Sequence, residues 1–356
     1  MAKKSLFLTL RVHPLLLDGA AASLLSREGL RAGECPEEWN RTHPQTVAAI
    51  HQAFVEAGAQ VVTTNSLGAN RVGLNRYGLA NQVFELNLSA AQIARETCPE
   101  NIYVAGTVGP TGEMVTPSGQ LTFEKLVTIF QEQIAGLVEG GVDLICVENM
   151  SQLHEARAAV IAAKQFPPVP VLVTMVFTAH PSGFRTTMNV DPQSAVLELE
   201  AAGADAIGCS CGQLTAKQMA RLVTRLKKLT KLPIIAQLDP GKPSLRKGLL
   251  FYTRTPQQLA QGTKEVLRAG ADIIGGSWGT TPNHIAAMAE SIPKVKRTAR
   301  ARSSSIKKSV TAKKKSTGKK KSASVRKKSS GGKKSTAAKQ KSAVRAKGAA
   351  KKKRRS

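Results

Sequence analysis

The stretch EGGVDLICVEN, residues 139–149, contains the unit that decides the fold. It gives a glycine, a pair of small or polar residues, a short run of strand-favouring residues, and then polar residues. The unit recurs three times, as EAGAQVVTTN (56–65), AAGADAIGCSC (201–211) and RAGADIIGGSW (268–278). A unit repeated at this scale predicts one architecture built from similar pieces.

Each copy follows residues with the pattern of a helix, as at 46–57 and 123–139. A glycine between a helix and a buried strand is typical of a left-handed cap that ends the helix. The unit is therefore interpreted as helix, glycine turn and strand, and the predicted caps are Gly58, Gly141, Gly203 and Gly270.

Extending this pattern along the chain predicts eight buried strands, at 15–18, 61–65, 103–107, 144–148, 171–177, 206–211, 234–238 and 273–277. The clearest helical patterns between them are 151–164, 192–202, 216–229 and 256–269. Alternating strands and helices with continuous apolar strand runs favour a parallel sheet covered on both faces. We predict an α/β fold, a (β/α)8 TIM barrel; an open doubly wound sheet is the alternative.

The charge is divided unevenly along the chain. Of 52 Lys and Arg residues, 27 lie in residues 294–356, which contain no Asp or Glu. The first 293 residues therefore carry 25 basic and 24 acidic groups. We predict a barrel domain at 1–293 and a disordered basic tail at 294–356, since Lys, Ser and Ala supply too little apolar surface to fold.

The remaining composition indicates a cytoplasmic protein. Five unevenly spaced cysteines do not form a secreted disulfide framework. The apolar run SLFLTL (5–10) ends at Arg11, short of a signal peptide, and no run approaches the roughly 20 apolar residues of a membrane span.

Polar residues stand where the predicted strands end, which in a barrel is the face that carries the active site. Asp18 and Glu148 are the two carboxylates placed to hold a cation such as the ammonium of an amino acid. The alternative is that they cap helices or pair with an arginine such as Arg185. The last strand ends differently, at Ser277 and Trp278, neither of which is an acid, a base or a good metal ligand.

Several motifs together carry a family resemblance: LLLDGA, VVTTNSLGANRVGLNRYGL, VAGTVGPTGE, VDLICVENMSQLHEARAAV, DAIGCSCG, DPGKP and IIGGSWGTTPNHI. In order and spacing they resemble the homocysteine S-methyltransferase family, above all the homocysteine-binding domain of cobalamin-dependent methionine synthase. The resemblance covers residues 15 to about 292.

The resemblance implies a zinc ion, held by three cysteines, that binds the substrate sulfur as a thiolate. A free thiol has a pKa of about 8.5, so the metal supplies a nucleophile at neutral pH. Cys211 matches one ligand and is the implied catalytic residue, with Ser210 in place of the family asparagine. The other two ligand positions hold Ser277 and Trp278, so the zinc site is predicted to be incomplete.

Two other residues are conceivable substitute ligands. Cys209 lies two residues from Cys211, but the strand rise makes shared chelation strained, and a small core residue is the favoured interpretation. His180 is another conceivable ligand, although an isolated loop histidine is usually solvated. Trp278 either fills the metal cavity, forms a stacking wall for another ligand, or simply packs.

The substrate half of the family pattern is retained. Asp18, Gly19 and Glu148 match the residues that the resemblance assigns to homocysteine, with the two carboxylates receiving the ammonium. The GPTGE loop (109–113) keeps its glycines; alone it is weak evidence for phosphate binding and more typical of a turn.

The tail resembles the lysine-rich tails of linker histones and histone-like bacterial proteins. Such a segment binds DNA or RNA phosphates without sequence preference, because it has no aromatic residues for stacking. This allows a nucleoid-associated location; a solubilising or polyphosphate-binding arm is the alternative.

Two functions remain from the sequence. One is methyl transfer to a thiol such as homocysteine; the other is a barrel without metal-dependent catalysis, tethered to nucleic acid by its tail as a ligand-binding module. Since 356 residues leave no room for folate or cobalamin domains, we expect the methyl donor to be a small molecule or a methylated partner protein.

Overall fold

The structure is a computed structural model that describes residues 5–115, 121–166, 168–210, 212–246 and 249–293. Cys211 and the predicted tail, 294–356, lie outside the described residues. Among the described residues, no helix combines the length and apolar content that crossing a membrane requires.

The described residues contain twelve strands: β1 (Leu15–Leu16), β2 (Val61–Thr63), β3 (Tyr103–Val108), β4 (Leu144–Met150), β5 (Val171–Met175), β6 (Thr178–His180), β7 (Gly183–Arg185), β8 (Ala206–Ser210), β9 (Ile234–Leu238), β10 (Pro243–Arg246), β11 (Leu249–Tyr252) and β12 (Ile273–Gly276). The helices are α1 (Leu6–Leu10), α2 (Ala21–Leu25), α3 (Trp39–Thr42), α4 (Pro44–Glu56), α5 (Arg71–Asn75), α6 (Val83–Thr97), α7 (Phe123–Glu139), α8 (Leu153–Ala163), α9 (Pro192–Ala201), α10 (Ala216–Leu229), α11 (Pro256–Arg268) and α12 (Pro282–Ser291).

Eight of the strands form one parallel sheet in the order β1-β12-β9-β8-β5-β4-β3-β2. A parallel bridge between Leu17 and Val61 joins the first and last strands of that order. The sheet is thus closed into a barrel with helices outside, so the predicted architecture is confirmed and the open sheet is wrong.

The helix-to-strand turns form as predicted. Gly58, Gly141, Gly203 and Gly270 have φ of +97°, +86°, +99° and +104°. Side chains with a Cβ rarely take this left-handed backbone, so glycine is the residue that lets each helix stop and turn into a strand. The start of α12 is also set by neighbouring residues: Pro282 lies in its first turn, and Thr281 and His284 form reciprocal hydrogen bonds.

Alternation along the strands divides the core into two layers. Leu15 and Leu17 belong to a cluster inside the barrel, whereas Leu16 belongs to the cluster between strands and helices. Successive side chains of a strand point to opposite faces, so one run of apolar residues contributes to both layers of the core. The SLFLTL run forms α1, whose Leu6 is buried in the inner cluster.

Two antiparallel hairpins differ from the predicted pattern. The strand expected at 171–177 ends at Met175, and β6 and β7 follow it as a separate pair. β10 and β11 form a second hairpin after β9. Both hairpins lie in loops that follow the carboxyl ends of barrel strands, where barrel enzymes build their sites.

Candidate functional site

A cavity of about 240 Å³ lies at the carboxyl ends of the barrel strands. Its wall is built mainly from residues in the last part of those strands or just after them: Asp18, Gly19, Thr63, Thr64, Asn65, Thr107, Glu148, Asn149, Gln237, Ser277 and Trp278. The structure therefore brings together every predicted site residue that it describes. The size suits a small molecule of amino-acid dimensions.

Asp18 is 2% exposed and is held by β2. The backbone nitrogen of Thr63 donates to its Oδ2 at 2.8 Å, and the Thr63 hydroxyl donates to its Oδ1 at 2.9 Å. Burial raises the pKa of Asp18 well above its ordinary value; the Thr63 hydrogen bonds oppose that rise, and the Glu148 charge adds to it. A cation in the cavity would offset this cost.

Glu148 lies in an irregular part of β4, where the pairing with β5 shifts between Val147 and Met150. The neighbouring Asn149 has φ of +61°. A bulge of this kind turns side chains away from the regular alternation, and both residues line the cavity. Burial raises the pKa of Glu148, and a hydrogen bond from Gln237 lowers it.

Hydrogen bonds connect Glu148 to three neighbouring strands. Gln237 Nε2 donates to Glu148 Oε2 at 2.7 Å. The Thr174 hydroxyl lies 3.1 Å from Gln237 Oε1 and 3.2 Å from the Ser210 hydroxyl, which donates to Asn149 Oδ1 at 3.0 Å. Ser210, which replaces the family asparagine, thus belongs to a network that fixes the carboxylate.

Neither Asp18 nor Glu148 takes the alternative role that the sequence leaves open. Arg185 pairs with Asp191 at 3.1 Å, and Asp18 accepts its bonds from a strand residue. The interpretation as helix caps or partners of Arg185 is therefore wrong. Both carboxylates face the cavity instead.

The end of β12 presents Ser277 and Trp278 to the same cavity. Ser277 is 6% exposed, and its hydroxyl has no hydrogen-bond partner among the described residues. Trp278 is 49% exposed, so about half of its side chain is open to the cavity mouth. The two glycines before them allow neighbouring side chains of the protein to approach the strand closely. A Cβ on Gly275 would lie 2.8 Å from Leu17 Cβ, and one on Gly276 would lie 2.2 Å from Thr280 Oγ1.

The residues at the implied zinc ligand positions do not fit that metal. Structural and catalytic zinc sites use thiolate, imidazole or carboxylate ligands, whereas Ser277 offers a neutral hydroxyl and Trp278 an indole. The part of the chain that the structure describes contains no group of three His, Cys, Asp or Glu residues suited to a metal. Cys211, the third position, lies outside the described residues.

The two substitute ligands are placed elsewhere. Cys209 is fully buried, with its Sγ 3.0 Å from Met219 Sδ, and burial raises its pKa to about 12. It is a core residue, as the sequence favoured. His180 is exposed, and its Nδ1 lies 2.8 Å from the Ser182 hydroxyl.

The GPTGE loop is organised around a carboxylate of the protein itself. Both the backbone nitrogen and the hydroxyl of Thr111 donate to Glu155 Oε1, at 2.7 and 2.6 Å. Gly112 has φ of +79°, which fits the interpretation as a turn.

Sequence reasoning missed Gln237, Thr63 and Glu37. Gln237 gave a usable signal, since a polar residue inside an apolar strand run needs a partner. Glu37 gave no such signal: it is buried in a short 3₁₀ helix, Pro36–Glu38, before α3, where it accepts a bond from the Gly68 nitrogen at 2.7 Å and lines the cavity.

A parallel barrel whose strand ends enclose a cavity lined by the buried Asp18 and the partly buried Glu148 defines an α/β-barrel protein with a small-molecule-sized cavity at its active face. The family model for homocysteine S-methyltransferase matches residues 15–292, and the chain belongs to that family. The predicted resemblance is thereby confirmed.

Two sequence relatives are methionine synthases. The methionine synthases of Mycobacterium tuberculosis and Mycobacterium leprae are 28% and 27% identical to the chain over 301 and 304 residues. These alignments cover 80% of this chain and 25% of each synthase, so the chain spans about a quarter of the length of these relatives.

Among solved structures, the metallated form of the homocysteine methyltransferase MmuM from Escherichia coli superimposes with a TM-score of 0.66 at 23% identity. That match covers 80% of this chain and 98% of MmuM. The oxidized form gives 0.63 at 24% identity, over 78% and 95%. At this identity the likeness shows the fold.

Proposed function

We propose that the barrel transfers a methyl group to the thiol of homocysteine or a related amino acid. The observation that carries the proposal is the pair Asp18 and Glu148, both held by hydrogen bonds at the wall of one cavity. Family membership favours this activity over the ligand-binding module.

The proposed role of the carboxylates is to receive the substrate ammonium. Burial makes the ionised form of each costly, and a bound cation replaces the lost hydration. Gly19 adds only main-chain atoms to the cavity wall, because a Cβ there would lie 2.6 Å from Thr280 Oγ1 and 2.9 Å from Thr280 O. The ammonium and these groups would fix the acceptor's position before reaction.

The chemical step forms a bond between the acceptor sulfur and the methyl carbon, breaks the bond between the methyl group and the donor, and releases the thiol proton. Zinc has no part in the proposed step, because Ser277 and Trp278 do not fit it. Cys211 remains the proposed catalytic residue on the family pattern alone.

The test is methionine formation by the untagged full-length chain, followed by mass spectrometry. Homocysteine would be supplied with donors of different leaving groups: a methylsulfonium, a quaternary ammonium and a methylated reduced folate. Methionine formed by the wild type and lost in Asp18→Asn supports the proposal. Calorimetric binding of homocysteine with no methionine from any donor supports the binding module instead.

We also propose that residues 294–356 bind DNA or RNA through phosphate contacts. The support is the segregation of 27 Lys and Arg residues into a segment without Asp or Glu. The domain division at residue 293 and the cytoplasmic or nucleoid-associated location stay predictions.

A further inference from the structure

A second cavity, of about 570 Å³, lies beside the first at the barrel mouth. Trp278 lines both cavities, so ligands in the two would contact the same side chain. The second cavity is walled by residues that follow β5, β8, β9 and β12. Neither the sequence motifs nor the proposed acceptor site accounts for it.

The wall of the second cavity that the structure describes presents little free charge. Its acidic residue, Asp239, accepts bonds from Arg254 Nη1 at 3.1 Å and from the Gly241 nitrogen at 2.7 Å. Its other polar side chains include the neutral groups of Thr178, Gln213 and Gln218. Such a surface favours an uncharged ligand, because an ion would lose hydration without gaining a counter-ion.

Two aromatic side chains border the cavity. Tyr252, at the end of β11, packs on Gly279: a Cβ there would lie 2.2 Å from Tyr252 Cζ. Gly279 has φ of +87°, so glycine is favoured by its backbone as well. The hairpin therefore places Tyr252 beside the turn that carries Trp278, and aromatic walls of this kind bind flat rings by stacking.

We propose that the second cavity binds a planar, uncharged heteroaromatic group that stacks on Trp278. Its ligand is separate from the amino acid of the first cavity, and the inference goes beyond the proposed methyl transfer.

Tryptophan fluorescence of the full-length chain tests the inference with adenosine and caffeine as probes. The chain has two tryptophans. Trp39 is 7% exposed and stacks on His43 with ring centroids 4.1 Å apart, whereas Trp278 lines the second cavity. A probe bound in that cavity would therefore change the emission of Trp278 rather than that of Trp39. Trp278→Phe reports the Trp39 background, and calorimetry with this variant measures affinity independently of the signal.

Two alanines give matched cavity-filling variants. Ala179 is exposed and lines the second cavity, whereas Ala22 lines the first. We expect saturable binding of a probe, with an affinity that Ala179→Leu weakens at least about tenfold and Ala22→Leu leaves unchanged. Ala22→Leu should instead weaken the binding of homocysteine in the first cavity.

Three outcomes overturn the inference. The first is the absence of saturable binding for both probes. The second is probe binding that is weakened by Ala22→Leu and not by Ala179→Leu. The third is equal calorimetric affinity of the wild type, Trp278→Phe and Ala179→Leu for a probe. Because the probes are not methyl donors, a failure here leaves the methyl transfer test unaffected.

Discussion

The side-chain nitrogen of Gln237 donates a hydrogen bond of 2.7 Å to Oε2 of Glu148, from a residue 89 positions away in the chain. An ionised carboxylate only accepts, so it selects the NH2 end of the amide, and the other end, Gln237 Oε1, lies 3.1 Å from the Thr174 hydroxyl. Glu148 is therefore held as an acceptor, and Gln237 lowers a pKa that burial raises.

Gln237→Leu should shift the pH dependence of homocysteine binding. Protonation of Glu148 removes a counter-ion of the ammonium, so affinity falls as pH decreases through the carboxyl pKa. Without Gln237 that pKa rises further, and the loss should begin at higher pH. Calorimetry across the acid range measures the shift. Gln52→Leu, which removes a donor to Glu56 on the exposed face of α4, is the matched control; identical curves for the two variants would contradict the role of Gln237.

Glu148→Gln should weaken homocysteine binding at neutral pH by about 1 to 3 kcal/mol, the cost of losing a charged hydrogen-bond partner. Calorimetry gives the difference directly. Glu56→Gln, on the exposed face of α4, serves as a charge-matched control that should bind as the wild type does. Equal affinity for wild type and Glu148→Gln would mean that the family pocket has been abandoned.

Asp18→Asn should raise the unfolding temperature near neutral pH. The folded state holds the Asp18 proton more tightly than the unfolded state, because burial raises the folded pKa. The contribution of this group to stability is thus fully present below its unfolded pKa of about 3.9 and is lost as pH rises toward the folded pKa.

Asparagine does not titrate, so the variant does not lose stability as pH rises. The unfolding temperatures of wild type and Asp18→Asn, measured by calorimetry, should therefore differ near pH 7 and converge below about pH 4. The amide can still pair with both Thr63 groups. A lower unfolding temperature for the variant at neutral pH would show that the ionic hydrogen bonds to Thr63 outweigh the cost of burial.

The purified, untagged protein should contain much less than one zinc per chain and gain little thermal stability from added Zn²⁺. Elemental analysis gives the metal content. The double substitution Ser277→Cys with Trp278→Cys restores the family ligand types and should raise zinc content toward one per chain. Stoichiometric zinc in the wild type that disappears in Cys211→Ala would overturn the prediction.

Truncation after Pro293 should abolish binding to duplex DNA and RNA. The removed segment carries 27 basic groups, whereas the remainder is nearly neutral. Full-length binding should weaken steeply between about 50 and 200 mM salt, as counterion release becomes less favourable. Mobility shifts with the truncated chain measure this; retardation at moderate salt, or a marked sequence preference of the full chain, would contradict it.

The sequence by itself determined the barrel. A glycine cap depends on one residue's backbone freedom, and a buried parallel strand is apolar along its whole length, so both are visible locally. The strand predicted at 234–238 is β9, Ile234–Leu238, and the helix predicted at 216–229 is α10, Ala216–Leu229. The charge segregation at residue 293 is equally a property of sequence alone.

Only the tertiary structure decided how the site is held. The bonds from Thr63 to Asp18 and from Gln237 to Glu148 join residues 45 and 89 positions apart, and they exist because closing the barrel brings those strand ends together. The same closure leaves Trp278 half exposed between two cavities and leaves the buried Ser277 hydroxyl without a described partner. Local pattern contains no information on such pairings, because they depend on which strands become neighbours and at what register.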